Sequence, residues 1–199
     1  MFETRIHGRG GQGVVTAAEL LSISAFDEGR HAQAFPSFGS ERTGAPVASF
    51  CRIDDRPIRS REPVTEPDAL IIVDPTLLHQ VDVFGGARPT VYVLINTTRS
   101  LAELGLARLE ERFDLRRVKT VGATDLARRH LGRPLPNAAL LGGFAALTGM
   151  VSITSVETAI RERFAGALGE RNAAAAREAY DILRRSAAPV AALTAGDRG

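Results

Sequence analysis

Four glycines within six positions near the N-terminus are the residues of this chain best suited to contact a ligand directly. Residues 8–13 read Gly-Arg-Gly-Gly-Gln-Gly, and the spacing of Gly8, Gly10 and Gly13 matches the G-x-G-x-x-G pattern of dinucleotide-binding turns. Because glycine lacks a Cβ atom and tolerates positive φ, a phosphate can approach such a turn closely. The guanidinium of Arg9, inside the turn, can bind phosphate oxygens with two hydrogen bonds. The pattern predicts a phosphate-binding turn; the alternative is a tight turn with no ligand.

Such a turn needs a strand before it and a helix after it, and the flanking residues have those patterns. A short apolar run over 4–7 precedes the glycines, while Val14, Ala17 and Leu21 follow at helical spacing. The N-terminus of that helix presents free N–H groups and a positive dipole end, which favour an anion. The order strand, glycine turn, helix is that of the first unit of a doubly wound fold.

Beyond this unit, segments that predict strands alternate with segments that predict helices. The first helix should end near residues 28–29. The other predicted strands are 31–35, 47–53, 69–74, 90–95 and 118–121. The other predicted helices are one or two short ones within 101–113, followed by 123–131, 137–150, 155–168 and 172–186. Asn137 and Asp74 are the expected caps of the segments that follow them. We therefore expect an α/β fold of three layers: a Rossmann-like, mostly parallel sheet with helices on both faces and a helical C-terminal end. A single domain over 1–189 and a frayed tail over 190–199 are expected.

A second unusual stretch covers residues 36–46. It contains two prolines, two glycines and the adjacent charged pair Glu41 and Arg42. This composition predicts a loop of defined shape that could carry function, with a plain β-turn connector as the alternative.

One expected partner of a nicotinamide cofactor is missing. A domain that binds NAD usually carries Asp or Glu about 20 residues beyond the glycine turn, where the carboxylate bonds the ribose hydroxyls. Residues 31–38 contain neither. This absence disfavours NAD as a ligand. It is a weaker argument against a ligand with a phosphorylated ribose, because the usual partner of that phosphate is arginine.

No complete catalytic set is present in the sequence. It has neither a G-x-x-x-x-G-K-[ST] loop nor a G-x-S-x-G nucleophile turn. The four histidines, His7, His31, His79 and His130, are scattered without metal-ligand spacing, so we expect no metal site. Cys51 is the one cysteine, expected to be a small packed side chain, and it cannot by itself hold an iron–sulfur cluster. A phosphate-type turn without catalytic residues is typical of a binding module or of one subunit of a larger enzyme.

Composition further limits the possible partners. Net charge is +2, which gives no reason to expect nucleic-acid binding. Residues 134–156 carry no charge, but they include too many small and polar residues for a membrane span, so we expect a buried helix or one that faces another subunit. The N-terminus has no signal-peptide pattern, and a cytoplasmic location without membrane association is the expectation.

Taken together, these motifs resemble the gamma subunit of pyruvate (2-oxoacid):ferredoxin/acceptor oxidoreductases. The resemblance begins with residues 7–21, around the G-G-Q-G turn, and continues through 32–47, which contain P-S-F-G-S-E-R. Residues 52–58, 66–68, 74–78 and 137–142 continue it in order, so that about 4–149 are covered.

The resemblance implies a role within a complex that cleaves a 2-oxoacid and transfers the acyl group to coenzyme A. It implies that this chain helps to hold coenzyme A, while thiamine diphosphate and [4Fe–4S] clusters lie on alpha, beta and ferredoxin-like delta subunits, which pass electrons to an external acceptor. The implied coenzyme-binding residues are Gly8, Arg9, Gly10, Gly11, Gln12 and Gly13, with Glu41 and Arg42 near the coenzyme or a neighbouring subunit. The isolated chain is expected to be inactive.

The chain departs from the family pattern at Thr43, where a second arginine is expected beside Arg42. Gly44-Ala45-Pro46 favours the pyruvate-type group. Relatives acting on aromatic 2-oxoacids such as phenylglyoxylate or indolepyruvate remain open, as do a stand-alone NAD(P)-binding protein and a structural subunit with no ligand.

Overall fold

The computed structural model describes residues 1–37 and 43–187. These residues form a six-stranded sheet packed against five α-helices. The strands are β1 (Phe2–Arg9), β2 (His31–Pro36), β3 (Pro46–Asp54), β4 (Ala69–Ile72), β5 (Tyr92–Asn96) and β6 (Val118–Val121). The α-helices are α1 (Val14–Asp27), α2 (Ala123–Leu131), α3 (Asn137–Thr148), α4 (Ile153–Arg163) and α5 (Ala167–Ala187). The predicted tail over 190–199 lies outside the described residues.

The strands are arranged in the order β2-β3-β1-β4-β5-β6, and β1 occupies an inner position between β3 and β4. β1, β4, β5 and β6 are parallel, whereas β3 runs antiparallel to both of its neighbours. Ile6 of β1 pairs with Ser49 on one side and Ile71 on the other. β2 ends at Pro36 and β3 begins at Pro46, a separation too short for the crossover that a parallel pair requires, so these strands form an antiparallel hairpin. The predicted α/β class with a mostly parallel sheet is confirmed.

The two faces of the sheet are covered differently. On one face, alternate strand residues such as Ile71 and Leu94 share a core with residues of all five α-helices. On the other face, Leu70 and Ile95 pack against Phe113 and its neighbours. The regular segments that cover this second core are 3₁₀ helices, at Pro75–His79, Leu109–Glu111 and Leu115–Arg117. The predicted short helices within 101–113 correspond to turns and one of these 3₁₀ segments.

Most predicted helix limits agree with the structure, and the exceptions have local causes. α3 begins at Asn137 as expected, but the prediction that Asn137 caps it is wrong, because Pro136 occupies the cap and no side chain bonds the first turn. α4 begins earlier than predicted, because Ser152 is its cap and accepts a hydrogen bond from the Ser155 N–H at 3.0 Å. α4 ends at Arg163, five positions before its predicted end, and α5 begins at Ala167, five positions before its predicted start.

Most of α3, at the centre of the uncharged stretch, is buried within this chain. Residues 137–145 are all buried, and Gly142 lies so close to α5 that a Cβ atom there would overlap the backbone of Ala176. Within 1–37 and 43–187, no helix has the length and hydropathy required to cross a membrane.

Candidate functional site

The glycine turn connects β1 to α1 at the carboxyl edge of the sheet. β1 ends at Arg9 and α1 begins at Val14. Gly11 and Gly13 have φ values of 91° and 75°, and Gly13 occupies the cap position of α1 in the left-handed region. Only glycine adopts such angles without appreciable strain, so the turn depends on glycine at both positions.

The glycines of the turn have different surroundings. A Cβ on Gly8 would lie 2.5 Å from Cγ2 of Val14, and one on Gly13 would lie 2.8 Å from the side-chain nitrogen of Asn137. At Gly11, by contrast, no atom of the described residues lies within 4 Å of the Cβ position. Gly8 and Gly13 therefore permit close packing, whereas Gly11 leaves its backbone accessible to a ligand.

The end of the second loop packs directly on this turn. The N–H of Gly10 donates to the carbonyl of Ala45 at 3.0 Å, and the N–H of Gly44 donates to the carbonyl of Gly10 at 3.1 Å. Gly10 also forms an isolated β-bridge with Thr43. The structure thus brings together the two segments that the sequence singled out. The predicted site residues Glu41 and Arg42 lie outside the described residues.

Arg9 is held by hydrogen bonds to groups of the chain itself. Its Nε donates to Oδ2 of Asp74 at 3.0 Å, and Nη1 donates to the carbonyl of Gly44 at 3.0 Å. Nη2 donates to Oγ1 of Thr76 at 2.8 Å and to Oε1 of Gln80 at 2.7 Å. Since a guanidinium has five N–H donors, four are used here, and a bidentate contact to a phosphate requires at least one of these bonds to open.

Gln12 completes the same network. Its Oε1 accepts from the backbone N–H of Arg9 at 2.8 Å, and its Nε2 donates to Oδ2 of Asp74 at 2.9 Å. Asp74 also accepts from the N–H of Thr76 at 3.0 Å, which confirms the predicted cap. Burial opposes ionisation of Asp74, but hydrogen bonds from Thr76 and Gln12 and the charge of Arg9 keep the pKa of its carboxyl below the ordinary value. The network fixes the turn to the end of β4.

Two cavities open on either side of the turn. The first, which we call the strand-end cleft, has a volume of about 330 Å³ and lies beyond the ends of β4, β5 and β6. Its lining includes Gln12, Asp74, Asn96, Arg99, Asp125 and Arg128. Asn96 is buried there, and its amide donates to the carbonyl of Val73 and to Oγ1 of Thr124 and accepts from the Thr124 N–H.

The second cavity, which we call the helix-side cleft, has a volume of about 420 Å³. It lies between the glycine turn and the ends of several α-helices. Its lining includes Gly11, Gly13, Arg133, Asn137, Phe164 and Arg171. Sequence reasoning did not identify the two arginines, because nothing in the local sequence around positions 133 and 171 indicates that they lie near the turn.

Cys51 and His7 are the two reactive side chains whose pKa values burial changes most among the described residues. Burial raises the pKa of the Cys51 thiol to about 12, so this residue is a packed side chain, as predicted. Burial and the nearby charge of Arg5 lower the pKa of His7 to about 4, although Asp82 acts in the opposite direction. Across 1–37 and 43–187, no three His, Cys, Asp or Glu side chains are grouped to hold a metal ion. The fold and the turn thus define an α/β domain of the glycine-turn type.

Comparison with known proteins identifies the family. The family model described as pyruvate ferredoxin/flavodoxin oxidoreductase matches residues 3–182, and the chain belongs to this family. The chain is 50% identical over 181 residues to the common gamma subunit of pyruvate/ketoisovalerate oxidoreductases from Pyrococcus abyssi, covering 91% of this chain and 96% of that protein. It is 46% identical over 186 residues to the pyruvate synthase subunit PorC of Methanothermobacter marburgensis, covering 94% and 99% respectively.

A solved structure agrees with this assignment. The crystal structure of the pyruvate oxidoreductase subunit PORC from Thermotoga maritima superposes with a TM-score of 0.75 at 32% identity, covering 90% of this chain and 95% of that one. The chain is therefore a gamma-type subunit of an oxidoreductase complex, and the resemblance noted in the sequence is confirmed.

Proposed function

We propose that this chain is the gamma subunit of a multi-subunit 2-oxoacid:acceptor oxidoreductase that forms acyl-coenzyme A, and that its glycine turn helps to bind coenzyme A. The names of its relatives support the oxidoreductase part of this proposal. Bound coenzyme A supplies the thiol that accepts the acyl group. The role of this chain is to bind and orient the coenzyme and to contribute to subunit assembly.

The observation that carries the proposal is the accessible backbone at Gly11. Gly11 lies at the start of α1, whose first turn contains no acidic residue, and the space beside its Cα is open. Free N–H groups and the positive end of the helix dipole favour an anion at this point. The residues therefore fit a phosphate of the coenzyme. Arg9 lies in the turn and is paired with Asp74, and Glu41 and Arg42 extend the proposed site on the strength of the resemblance.

The remaining cofactors fit other chains better than this one. A [4Fe–4S] cluster is held by four cysteine thiolates, whereas this sequence has one cysteine, which is buried. We assign the clusters and thiamine diphosphate to alpha, beta and ferredoxin-like delta partners, through which electrons leave for the external acceptor. Pyruvate is the favoured 2-oxoacid, in line with the names of the relatives.

A single added methyl group tests the coenzyme role. Gly11→Ala places a methyl in the space that a phosphate would use, and we expect the complex carrying it to bind coenzyme A about 10-fold or more weakly. Gly29→Ala is the matched control, since Gly29 has φ 78° at the other end of α1 and similarly open surroundings among the described residues. Both substitutions cost similar backbone strain.

The measurement is calorimetric titration of coenzyme A into complexes purified through a tag on this chain. Mass spectrometry of the same preparations should find thiamine-binding and cluster-bearing partner chains. Equal coenzyme affinities for Gly11→Ala, Gly29→Ala and the unmodified chain would remove the coenzyme role of the turn. A tagged chain that purifies alone but binds NAD(P) would favour the stand-alone alternative.

A further inference from the structure

Asp74 accepts four hydrogen bonds just beyond the end of β4, and two of them come from the glycine turn. Its Oδ2 accepts from Nε of Arg9 at 3.0 Å and from Nε2 of Gln12 at 2.9 Å. Its Oδ1 accepts from the backbone N–H of Thr76 at 3.0 Å and from the Thr76 hydroxyl at 2.6 Å. Because its two oxygens bond to different segments, the carboxylate joins the turn to the residues that follow β4.

Arg9 adds a third segment, the end of the second loop (residues 36–46). Its Nη1 donates to the carbonyl of Gly44 at 3.0 Å, and Gly10, the next residue of the turn, accepts from the N–H of Gly44 at 3.1 Å. Its Nη2 donates to the side chains of Thr76 and Gln80, beyond β4. One guanidinium thus connects the turn, the end of the second loop and the segment after β4, which are far apart in the sequence.

These bonds leave Arg9 badly placed to bind a phosphate. Four of its five N–H donors are used within the chain, so a bidentate contact requires at least one bond to break. Its charge is already paired with Asp74, and only 23% of its side chain is exposed. A phosphate bound to Arg9 would also lie near the negative charge of that carboxylate. The planar guanidinium, with its donors in fixed directions, is better suited to hold segments in place.

We propose that Arg9, held by Asp74, is a positioning residue that fixes the end of the second loop against the glycine turn and affects coenzyme binding only through this arrangement. This inference rests on the proposed coenzyme role of the turn. Arg9, which the resemblance places among the coenzyme-binding residues, then acts without touching the phosphate. Asp74, which the resemblance does not include, acts with it. The accessible backbone at Gly11 remains the proposed phosphate contact.

Two substitutions of Arg9 separate positioning from a direct contact. Arg9→Lys keeps the charge but cannot reproduce the donor directions of the guanidinium, whereas Arg9→Gln loses both. If Arg9 positions the loop, both variants should weaken coenzyme A binding by the assembled complex to a similar extent, about 10-fold. Calorimetric titration measures this affinity, at a temperature where every complex is folded. A lysine variant that keeps most of the affinity lost by the glutamine variant would show a charge contact and overturn the inference.

A double-mutant cycle with Asp74→Asn tests whether the two residues act as one unit. Asparagine has the same shape, but its amide accepts through one atom only, so the bonds from Thr76 or those from Arg9 and Gln12 are lost. We expect Asp74→Asn to weaken coenzyme binding as much as Arg9→Gln does. The double variant should bind within about twofold of either single variant, because each change breaks the same arrangement. Losses that add, or an Asp74→Asn complex that binds normally or more tightly, would contradict a shared positioning role.

The opposite end of β1 offers a matched control. There Nε of Arg52 donates to Oε1 of Glu3 at 2.7 Å, and its Nη atoms donate to the carbonyls of Ser60 and Glu62. This pair is similarly buried and also anchors a loop, but it lies away from the glycine turn. Glu3→Gln and Arg52→Gln should lower Tm and leave the affinity for coenzyme A unchanged. If they weaken binding as much as the Arg9 variants do, the effect is a general loss of stability and the inference is wrong.

The outcomes distinguish this inference from the proposed function. If the Arg9 and Asp74 variants bind coenzyme A normally while Gly11→Ala does not, the positioning role is overturned and the coenzyme role of the turn stands. If Gly11→Ala binds normally while the Arg9 and Asp74 variants lose affinity together, the contact at Gly11 is overturned and the positioning role stands. If none of these variants affects coenzyme binding, both are overturned. If the Arg9 and Asp74 variants only release partner subunits, the pair stabilises assembly and the inference is wrong.

Discussion

At the scale of residues, Arg9 illustrates what a sequence motif leaves undetermined. Its position inside a glycine turn predicts a direct contact with phosphate, but its hydrogen bonds go to Asp74, Gly44, Thr76 and Gln80. These partners come from two segments that meet Arg9 only in the folded chain. Gln12, which the motif alone does not explain, orients the turn by bonding both Arg9 and Asp74. The motif predicted the position of the turn correctly. Which residues of the turn bond to the rest of the chain and which leave the backbone accessible could be seen only in the structure.

His7 gives the residue-scale prediction, which concerns stability at acid pH. Its pKa of about 4 lies below the ordinary value of 6.5, mainly because burial disfavours the charged ring. The unfolded chain therefore binds more protons between these values, and the free energy of unfolding should fall as pH drops from about 6.5 to about 4. The expected loss from this residue is on the order of 3 kcal/mol.

Urea unfolding of the full chain at pH 7 and pH 4.5 measures this effect. His7→Gln should remove much of the difference between the two pH values, since glutamine does not titrate. His31→Gln, at an exposed histidine on β2, is the control and should retain the difference. A pH dependence that is the same in His7→Gln and the unmodified chain would exclude His7 as its source.

At the scale of elements, the sequence predicted well those features that depend on local pattern. The strand Val118–Val121 and the helix Ala123–Leu131 have the predicted limits. The break between α4 and α5 was predicted about five positions too late, because the pattern was extended as helix across Gly166 to residue 168, whereas α4 ends at Arg163 and α5 begins at Ala167. The short 3₁₀ segments over the second core were also not resolved, since their packing comes from tertiary contacts with the sheet and not from a helical period.

Neighbouring glycines in α3 give a prediction at the same scale. A Cβ on Gly142 would overlap backbone atoms of Ala176, which cannot move without displacing α5. We expect Gly142→Ala to cost about 3 kcal/mol or more and to lower Tm by about 5 to 10 °C.

Gly143→Ala is the matched control in the next position. Its Cβ would meet side-chain atoms of Leu94 and Leu183 at 3.2 Å and 3.3 Å, and these can shift. Alanine also favours the helix more than glycine does, so the net change should stay within about 1 kcal/mol. Thermal unfolding of both variants measures the difference. Similar Tm values would contradict the close α3–α5 contact.

At the scale of the whole molecule, the fold class followed from the order of strands and helices, but the helix-side cleft did not. Positions 13, 137 and 171, which line it, lie far apart in the sequence. They meet because α3 and α5 pack together on the same face of the sheet as α1. The spacing of apolar residues predicts where helices and strands lie in the sequence, but not which helix ends lie next to one another in the folded chain. The cleft thus depends on tertiary packing that the sequence motifs do not encode.

In a complex with a gamma-type subunit, the 2-oxoacid can be selected by the partner chains and not by the gamma chain. One relative is named as a common subunit of pyruvate and ketoisovalerate oxidoreductases, so in that protein one gamma chain serves two 2-oxoacids. Thr43, which bridges Gly10 beside the turn, is therefore expected to affect the coenzyme and not the choice of 2-oxoacid. We expect Thr43→Arg to change coenzyme A affinity by adding a cation near the turn.

The same variant should leave the ratio of kcat/KM for pyruvate to that for ketoisovalerate unchanged in the assembled complex. Steady-state assays with both 2-oxoacids, at saturating coenzyme A, provide this ratio, and Thr43→Val is the control that adds no charge. If Thr43→Arg shifted the ratio severalfold, residue 43 would take part in selecting the 2-oxoacid. An unchanged ratio would indicate that the partner chains select the 2-oxoacid. An altered KM for coenzyme A, measured by varying the coenzyme, would indicate that the coenzyme binds beside this turn.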